Sequence, residues 1–159
     1  MLFEIPVIVV LLQSIPEGFF IVLVGLKLFN IDIKYSRALV ISFSYGIFSY
    51  IIRRVVFIFG LHTFLSILIL ILLVKILRKI SIFNAIISVL VGSLLAGIFQ
   101  VITAPLVLNI IDIEFQQLAD NPGINIIASL PTLILLGLSY YLLSITGFYL
   151  FNVNLSKKD

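Results

Sequence analysis

The chain has 159 residues, of which 62% are hydrophobic and 11% are charged, and its mean hydropathy is +1.33. A soluble domain carries about 25% charged residues, so this composition excludes a water-soluble fold and indicates one membrane domain over residues 1–159. The absence of cysteine excludes disulfides, thiolate metal sites and cysteine nucleophiles, and basic loop residues explain the net charge of +3 without nucleic-acid binding.

Five apolar segments are candidates for membrane-spanning helices, each of which needs about 20 residues. They predict an all-α, polytopic protein with spans within residues 5–26, 38–59, 61–74, 80–111 and 124–151. The second and third spans have an alternative, which is a shorter helix, an irregular turn around Gly60 and a tilted helix. The loop 112–123 ends in Asn121-Pro122-Gly123, which predicts a turn, and the loop is long enough for a short interfacial helix or a lid.

Basic residues predict the orientation of these spans. Eight of the ten fall in three regions, which five spans place on one side: Lys27, Lys34, Arg37; Lys75, Arg78, Lys79; Lys157, Lys158. The positive-inside rule puts that side, with the C-terminus, in the cytoplasm and the N-terminus outside. The expected location is therefore the cell membrane, as a multi-pass protein.

Glu17 is the acidic residue that lies deepest in an apolar segment. It precedes Lys27 by ten residues, or about 15 Å of helix at about 1.5 Å per residue, which is close to mid-bilayer. Gln13 lies one turn earlier on the same face, and Pro16 is expected to kink the helix. Acids at such depth are candidates for function. The alternative is a structural salt bridge, or a protonated side chain held by a neighbouring backbone.

Two adjacent arginines, Arg53 and Arg54, interrupt the second span. Arg53 is predicted to face the bundle, because it continues a small and polar stripe at helical spacing: Ser42, Gly46, Ser49. In a cavity open to the outside it is expected to recognise an anionic group such as a carboxylate, and it could reach Glu17. Arg54 points about 100° away and is expected to contact lipid headgroups. The alternative is that both arginines mark the outer interface and bind lipid phosphates.

Two further side chains are candidates for the same pocket. His62, the only histidine, cannot build a zinc site alone, and it is either a pH-sensitive pocket residue or an interfacial capping residue. Gln100 lies on a helix face with small residues, and the last span carries a similar face. These faces predict close helix packing, with Gln100 also able to line the pocket: Ser93, Gly97, Gln100, Ala104; Gly137, Tyr140, Ser144, Gly147.

Catalytic patterns are missing from the sequence. It contains no HExxH, no GxSxG and no phosphate-binding loop, and a single embedded acid cannot supply a two-carboxylate mechanism. We therefore expect no enzyme activity, no catalytic residue, no metal site and no cofactor.

Three short elements together carry a resemblance to a known family: Ile15-Pro16-Glu17, Arg53 and Gly60-Leu61-His62-Thr63. With them the chain resembles the membrane sensor region of AgrC-like, GHKL-type bacterial sensor histidine kinases. The resemblance implies that the region senses an extracellular signal, often a peptide, and passes it through its last helix to a cytoplasmic kinase dimer. Because this sequence contains no kinase region, the resemblance implies either a separate partner or a stand-alone relative with another role. No catalytic residue of the family carries over.

The leading hypothesis is a sensing module with an outward-facing charged pocket lined by Glu17, Arg53 and His62, whose fifth helix carries the response inward. The alternative is a substrate-binding membrane subunit of a small-molecule transporter, which resembles the S-components of energy-coupling-factor systems, although those have six helices. A third reading is a scaffold without a ligand. The expected partners are the lipid bilayer and one of three proteins: a separate histidine kinase, another membrane subunit or a second copy of the chain.

Overall fold

A computed structural model describes residues 6–55, 61–113 and 121–152. These ranges form five helices and no strand: α1 Val7–Leu28, α2 Tyr35–Val55, α3 Leu61–Arg78, α4 Ile82–Ile110 and α5 Pro122–Thr146. Each helix is long and apolar enough to cross a membrane, and the five helices lie at the predicted positions to within a few residues. The turn at Gly60, most of the loop 112–123, and Lys157 and Lys158 lie outside the described residues.

Helix α1 is the centre of the bundle. It packs against α2, α4 and α5, and α3 packs between α2 and α4. The most apolar stretch of α1 is 56% buried, whereas that of every other span is 33% buried or less. The other helices therefore present most of their apolar side chains outward, as a bilayer requires. The largest fully buried apolar side chains come from all five helices: Val9, Val22, Leu23, Val24, Leu26, Ile41, Leu70, Val74, Val89, Leu136.

Two glycines allow α1 and α4 to touch backbone to backbone. A Cβ atom on Gly92 would lie 2.5 Å from the carbonyl oxygen of Ile21, and one on Gly25 would collide with the carbonyl of Ser88. Small residues at helix interfaces permit this approach in membrane proteins. The predicted packing face is wrong at Gly97, because α4 turns a different face, that of Gly92, to α1, and a Cβ on Gly97 would meet nothing within 4 Å.

Four helices, α1, α3, α4 and α5, are each followed within two residues by a residue in the left-handed backbone conformation. Asn30, Lys79 and Asp112 each have φ 55°, and Gly147 has φ 64° immediately after α5. Gly147 stops the last helix at Thr146, inside the predicted segment 124–151. The turn predicted at Asn121-Pro122-Gly123 is wrong. Asn121 is the residue just before α5, and Pro122, whose fixed φ suits the first position of a helix, is its first residue.

One end of the bundle collects the α1–α2 loop, the α3–α4 loop and the C-terminal segment. Lys27 forms a salt bridge with Asp32 at 3.2 Å, and Arg78 Nε donates to the carbonyl of Asp32 at 2.8 Å. The backbone N–H of Leu150 donates to the carbonyl of Leu28 at 2.7 Å. The chain therefore gathers its basic loops at one end, while Arg53 and Arg54 lie at the opposite end of α2.

Candidate functional site

The first helix changes its winding just before Glu17. Residues Val10–Ser14 form a π-helical turn, in which the N–H of Ile15 bonds the carbonyl of Val10, five residues back. Pro16 has no N–H and cannot close the next regular turn, so the expected kink takes the form of this wider turn. Gln13 lies within the π turn, and Glu17 lies in the first turn of the α segment that follows. Such turns occur frequently at functional sites.

A polar crevice lies between α1, α4 and α5. Its lining consists of six side chains: Gln13, Glu17, Gln100, Ser129, Thr132, Leu133. The space between these side chains is too narrow to hold a water molecule. Gln13 and Thr132 are buried, Glu17 is partly buried, and Gln100 is exposed at the edge. The structure thus brings together three of the predicted site residues, Gln13, Glu17 and Gln100.

The two hydroxyl groups of the crevice, those of Ser129 and Thr132, donate their hydrogens to atoms outside it. Ser129 Oγ donates to the carbonyl of Ile126 at 2.8 Å. Thr103 Oγ1 donates to the carbonyl of Phe99 at 2.8 Å, so the 2.9 Å bond between Thr103 Oγ1 and Thr132 Oγ1 uses the hydrogen of Thr132. A hydroxyl carries a single hydrogen and two lone pairs. Ser129 and Thr132 therefore offer only lone pairs to the crevice.

On the α2 side of Glu17, Tyr45 lies near two opposite charges, those of Glu17 and Arg53. Its ring packs on the backbone of α1, where a Cβ on Gly18 would lie 2.6 Å from Tyr45 Cδ1. Glu17 and Arg53 are close enough for their charges to interact with each other and with Tyr45. In the described part of the chain, however, they form no direct ion pair. Arg53 Nε is buried and has no hydrogen-bond partner among the described residues.

Arg54 and His62 lie away from this cluster. Arg54 is exposed, and its guanidinium stacks 4.5 Å over the ring of Tyr50, a favourable cation–π geometry. His62 is in the first turn of α3, where its carbonyl accepts a hydrogen bond from Ser66 Oγ at 2.7 Å. The structure does not place His62 among the side chains that line the crevice.

Three contributors were missed from the sequence: Tyr45, Ser129 and Thr132. A signal existed for Tyr45, because it lies three residues after Ser42 on the stripe that was predicted to be buried, and the structure confirms that this stripe is buried. For Ser129 and Thr132 the signal was their i, i+3 spacing around Pro131. The residues chosen instead on α5 serve other contacts, such as the bond at 3.1 Å between the hydroxyls of Tyr140 and Tyr35.

Comparison with models of protein families, with curated proteins and with solved structures gives no match for this chain. Functional assignment therefore rests on the residues of the chain and on their geometry.

Proposed function

We propose that this chain is a signal-sensing module of the cell membrane that acts through a partner protein. The observation that carries the proposal is the polar cluster around Glu17 on the central helix of an otherwise apolar bundle. An ionised side chain near mid-bilayer costs roughly 2.5–3.5 kcal/mol on insertion scales. Intramembrane acids are therefore rare, and they mark ligand, ion or proton sites more often than packing alone explains.

The distribution of charge supports an orientation with the N-terminus outside and the C-terminus in the cytoplasm. The end that carries Lys27, Lys75 and Arg78 would face the cytoplasm by the positive-inside rule. Gln13 and the exposed Gln100 then lie on the outward side of Glu17, so a signal would approach the crevice from outside or from the outer leaflet.

The contacts of α1 support a route for the response. This helix touches α2, α4 and α5. The carbonyl of its last residue, Leu28, accepts a hydrogen bond from the N–H of Leu150 at 2.7 Å. A change at Glu17 would therefore reach the C-terminal segment along a single helix. The sequence led us to expect this role for the fifth helix, but α5 ends at Thr146 and the chain after it returns to α1.

Photo-crosslinking tests the identity of the partner. A photo-reactive residue in place of Phe151, which is 60% exposed, samples the proposed cytoplasmic end in native membranes. The matched control replaces Ile110, which is 82% exposed at the opposite end of the bundle. Capture of a histidine kinase at position 151 and not at position 110 is the expected result. Capture of a paired ATPase would contradict the sensing proposal and favour a transporter subunit. Capture of lipid alone would also contradict it and favour a scaffold without a ligand.

The same complex tests sensing directly. We expect Glu17→Gln to change the autophosphorylation rate of the captured kinase, because the substitution removes the charge at the centre of the cluster. Ser139→Ala is the matched control on α5, where Ser139 Oγ donates to the carbonyl of Leu135 outside the crevice. Equal rates in the wild type and in both variants would contradict a sensing role for Glu17.

A further inference from the structure

The crevice between α1, α4 and α5 contains a buried hydrogen-bond acceptor that no donor among the described residues satisfies. Gln13 is 7% exposed, and its Oε1 atom is buried with no hydrogen-bond partner among the described residues. Ser129 and Thr132 contribute lone pairs, because their hydrogens are committed to Ile126 and Thr103. An unsatisfied acceptor at this depth costs about 1–3 kcal/mol. Together with the Glu17 carboxylate, these oxygens form a set of ligands that suits a cation.

The charge count favours a monovalent cation. Glu17 is the acidic side chain of the crevice, and the side chains that α4 and α5 contribute are neutral: Gln100, Ser129, Thr132. The described residues contain no group of three or more His, Cys, Asp or Glu side chains that could hold a metal ion. One carboxylate balances one positive charge, whereas divalent ions take several charged ligands. Oxygen ligands select hard cations over transition metals.

The described side chains of α2 form no ion pair with Glu17, so its negative charge can bind a cation. Arg53 and Tyr45 are the titratable side chains of α2 whose charges act near Glu17. Arg53 forms no direct ion pair with Glu17, and it lies about 27 Å along the helix from Tyr35 at about 1.5 Å per residue, near the end of the span. Its Nε is buried and does not reach Glu17, so the carboxylate is not neutralised by direct contact with Arg53.

The width of the crevice selects among monovalent cations. It has no room for a water molecule, and a dehydrated sodium ion is smaller than water while a potassium ion is not. We propose that Gln13, Glu17, Gln100, Ser129 and Thr132 form a binding site for a bare monovalent cation of the size of sodium. This inference rests on the proposed sensing function, and it deepens that function by naming an ion that the site would hold.

Carbodiimide labelling of Glu17 tests the site in the full chain, purified into lipid nanodiscs. Dicyclohexylcarbodiimide reacts with protonated carboxyl groups in apolar surroundings, and mass spectrometry reports the modified residue. A cation on the carboxylate blocks that reaction. At fixed pH, we expect Na⁺ at about ten times its dissociation constant to slow labelling roughly ten-fold, whereas K⁺ or choline at equal concentration slows it far less.

Two variants on α5 make the test specific. Ser129→Ala removes a proposed ligand and is expected to raise the Na⁺ concentration needed for protection while Glu17 still reacts. Ser139→Ala removes a hydroxyl with a similar local bond outside the crevice, and it should leave protection unchanged. Equal labelling rates in Na⁺, K⁺ and choline would overturn the cation site and leave Glu17 satisfied by its own proton. That result would not affect capture of a kinase at position 151, so the two proposals fail separately.

Discussion

Glu17 lies near groups whose charges interact with its own, but none of the described residues forms an ion pair with it. Tyr45 and Arg53 lie near it on α2, and Gln13 supplies an unpaired acceptor on α1. The position of Gln13 beside Glu17 could be predicted, because it follows from helical spacing along one apolar segment. The place of Tyr45 depends on its packing against Gly18, a contact between two helices that the spacing within either helix does not determine.

A double-mutant cycle measures the coupling of the two charges. Glu17→Gln and Arg53→Gln are each expected to destabilise the detergent-solubilised protein, and the double variant should cost less than their sum. Because the two groups interact without a direct ion pair, we expect a coupling energy on the order of 0.5 kcal/mol. Chemical unfolding of the three variants gives this value, and strict additivity would show that the charges do not interact.

The glycines of α4 give a second test at this scale. Gly92→Ala places a Cβ against the carbonyl of Ile21, which is backbone and cannot move aside, so we expect a loss of about 1–3 kcal/mol. Gly97→Ala, five residues along the same helix, meets open space and should be neutral or stabilise by up to about 1 kcal/mol. Thermal unfolding in one detergent compares the two. Equal losses would contradict the packing of α4 on α1.

At the scale of elements, α1 joins the polar cluster to the C-terminal segment. Its π turn could be predicted only as a kink at Pro16, since the sequence does not specify how the backbone absorbs a missing N–H. The bond from Leu150 to Leu28 could not be predicted, because it joins residues far apart in the chain. The stop at Gly147 does have a sequence signal, a glycine after the apolar run, and it was interpreted as a packing residue instead.

Proline at position 150 tests this junction. Leu150→Pro removes the N–H that bonds the carbonyl of Leu28, whereas Leu150→Ala keeps it. We expect the proline variant to lose about 1 kcal/mol relative to the alanine variant and to release the segment, so that proteolysis after Gly147 becomes faster. Equal cleavage of both variants would show that the bond does not anchor the C-terminal segment.

At the scale of the whole molecule, the described residues form a bundle of five apolar helices with unequal ends. The number of spans and their approximate limits could be predicted from apolar length. The meeting of the basic loops at one end could be predicted from an odd number of spans, and contacts such as Arg78 with Asp32 agree with it. The crevice could not be predicted, because it needs the relative rotation of three helices.

Single cysteines test the proposed orientation, since the chain has no cysteine of its own. Asn121→Cys and Ser36→Cys place exposed thiols at opposite ends of the bundle. On intact cells, a membrane-impermeant maleimide is expected to label position 121 and to label position 36 only after the cells are broken. The reverse labelling pattern would contradict the proposed orientation and would mean that the crevice lies toward the cytoplasm.

The central claim is that the state of Glu17 reaches the C-terminal segment through α1, and amide hydrogen exchange at Leu150 in lipid nanodiscs tests it most directly. We predict that Glu17→Gln changes this exchange rate on the order of five-fold, which corresponds to about 1 kcal/mol, and that the control Ser139→Ala does not. Identical exchange in the wild type and in both variants would contradict the claim.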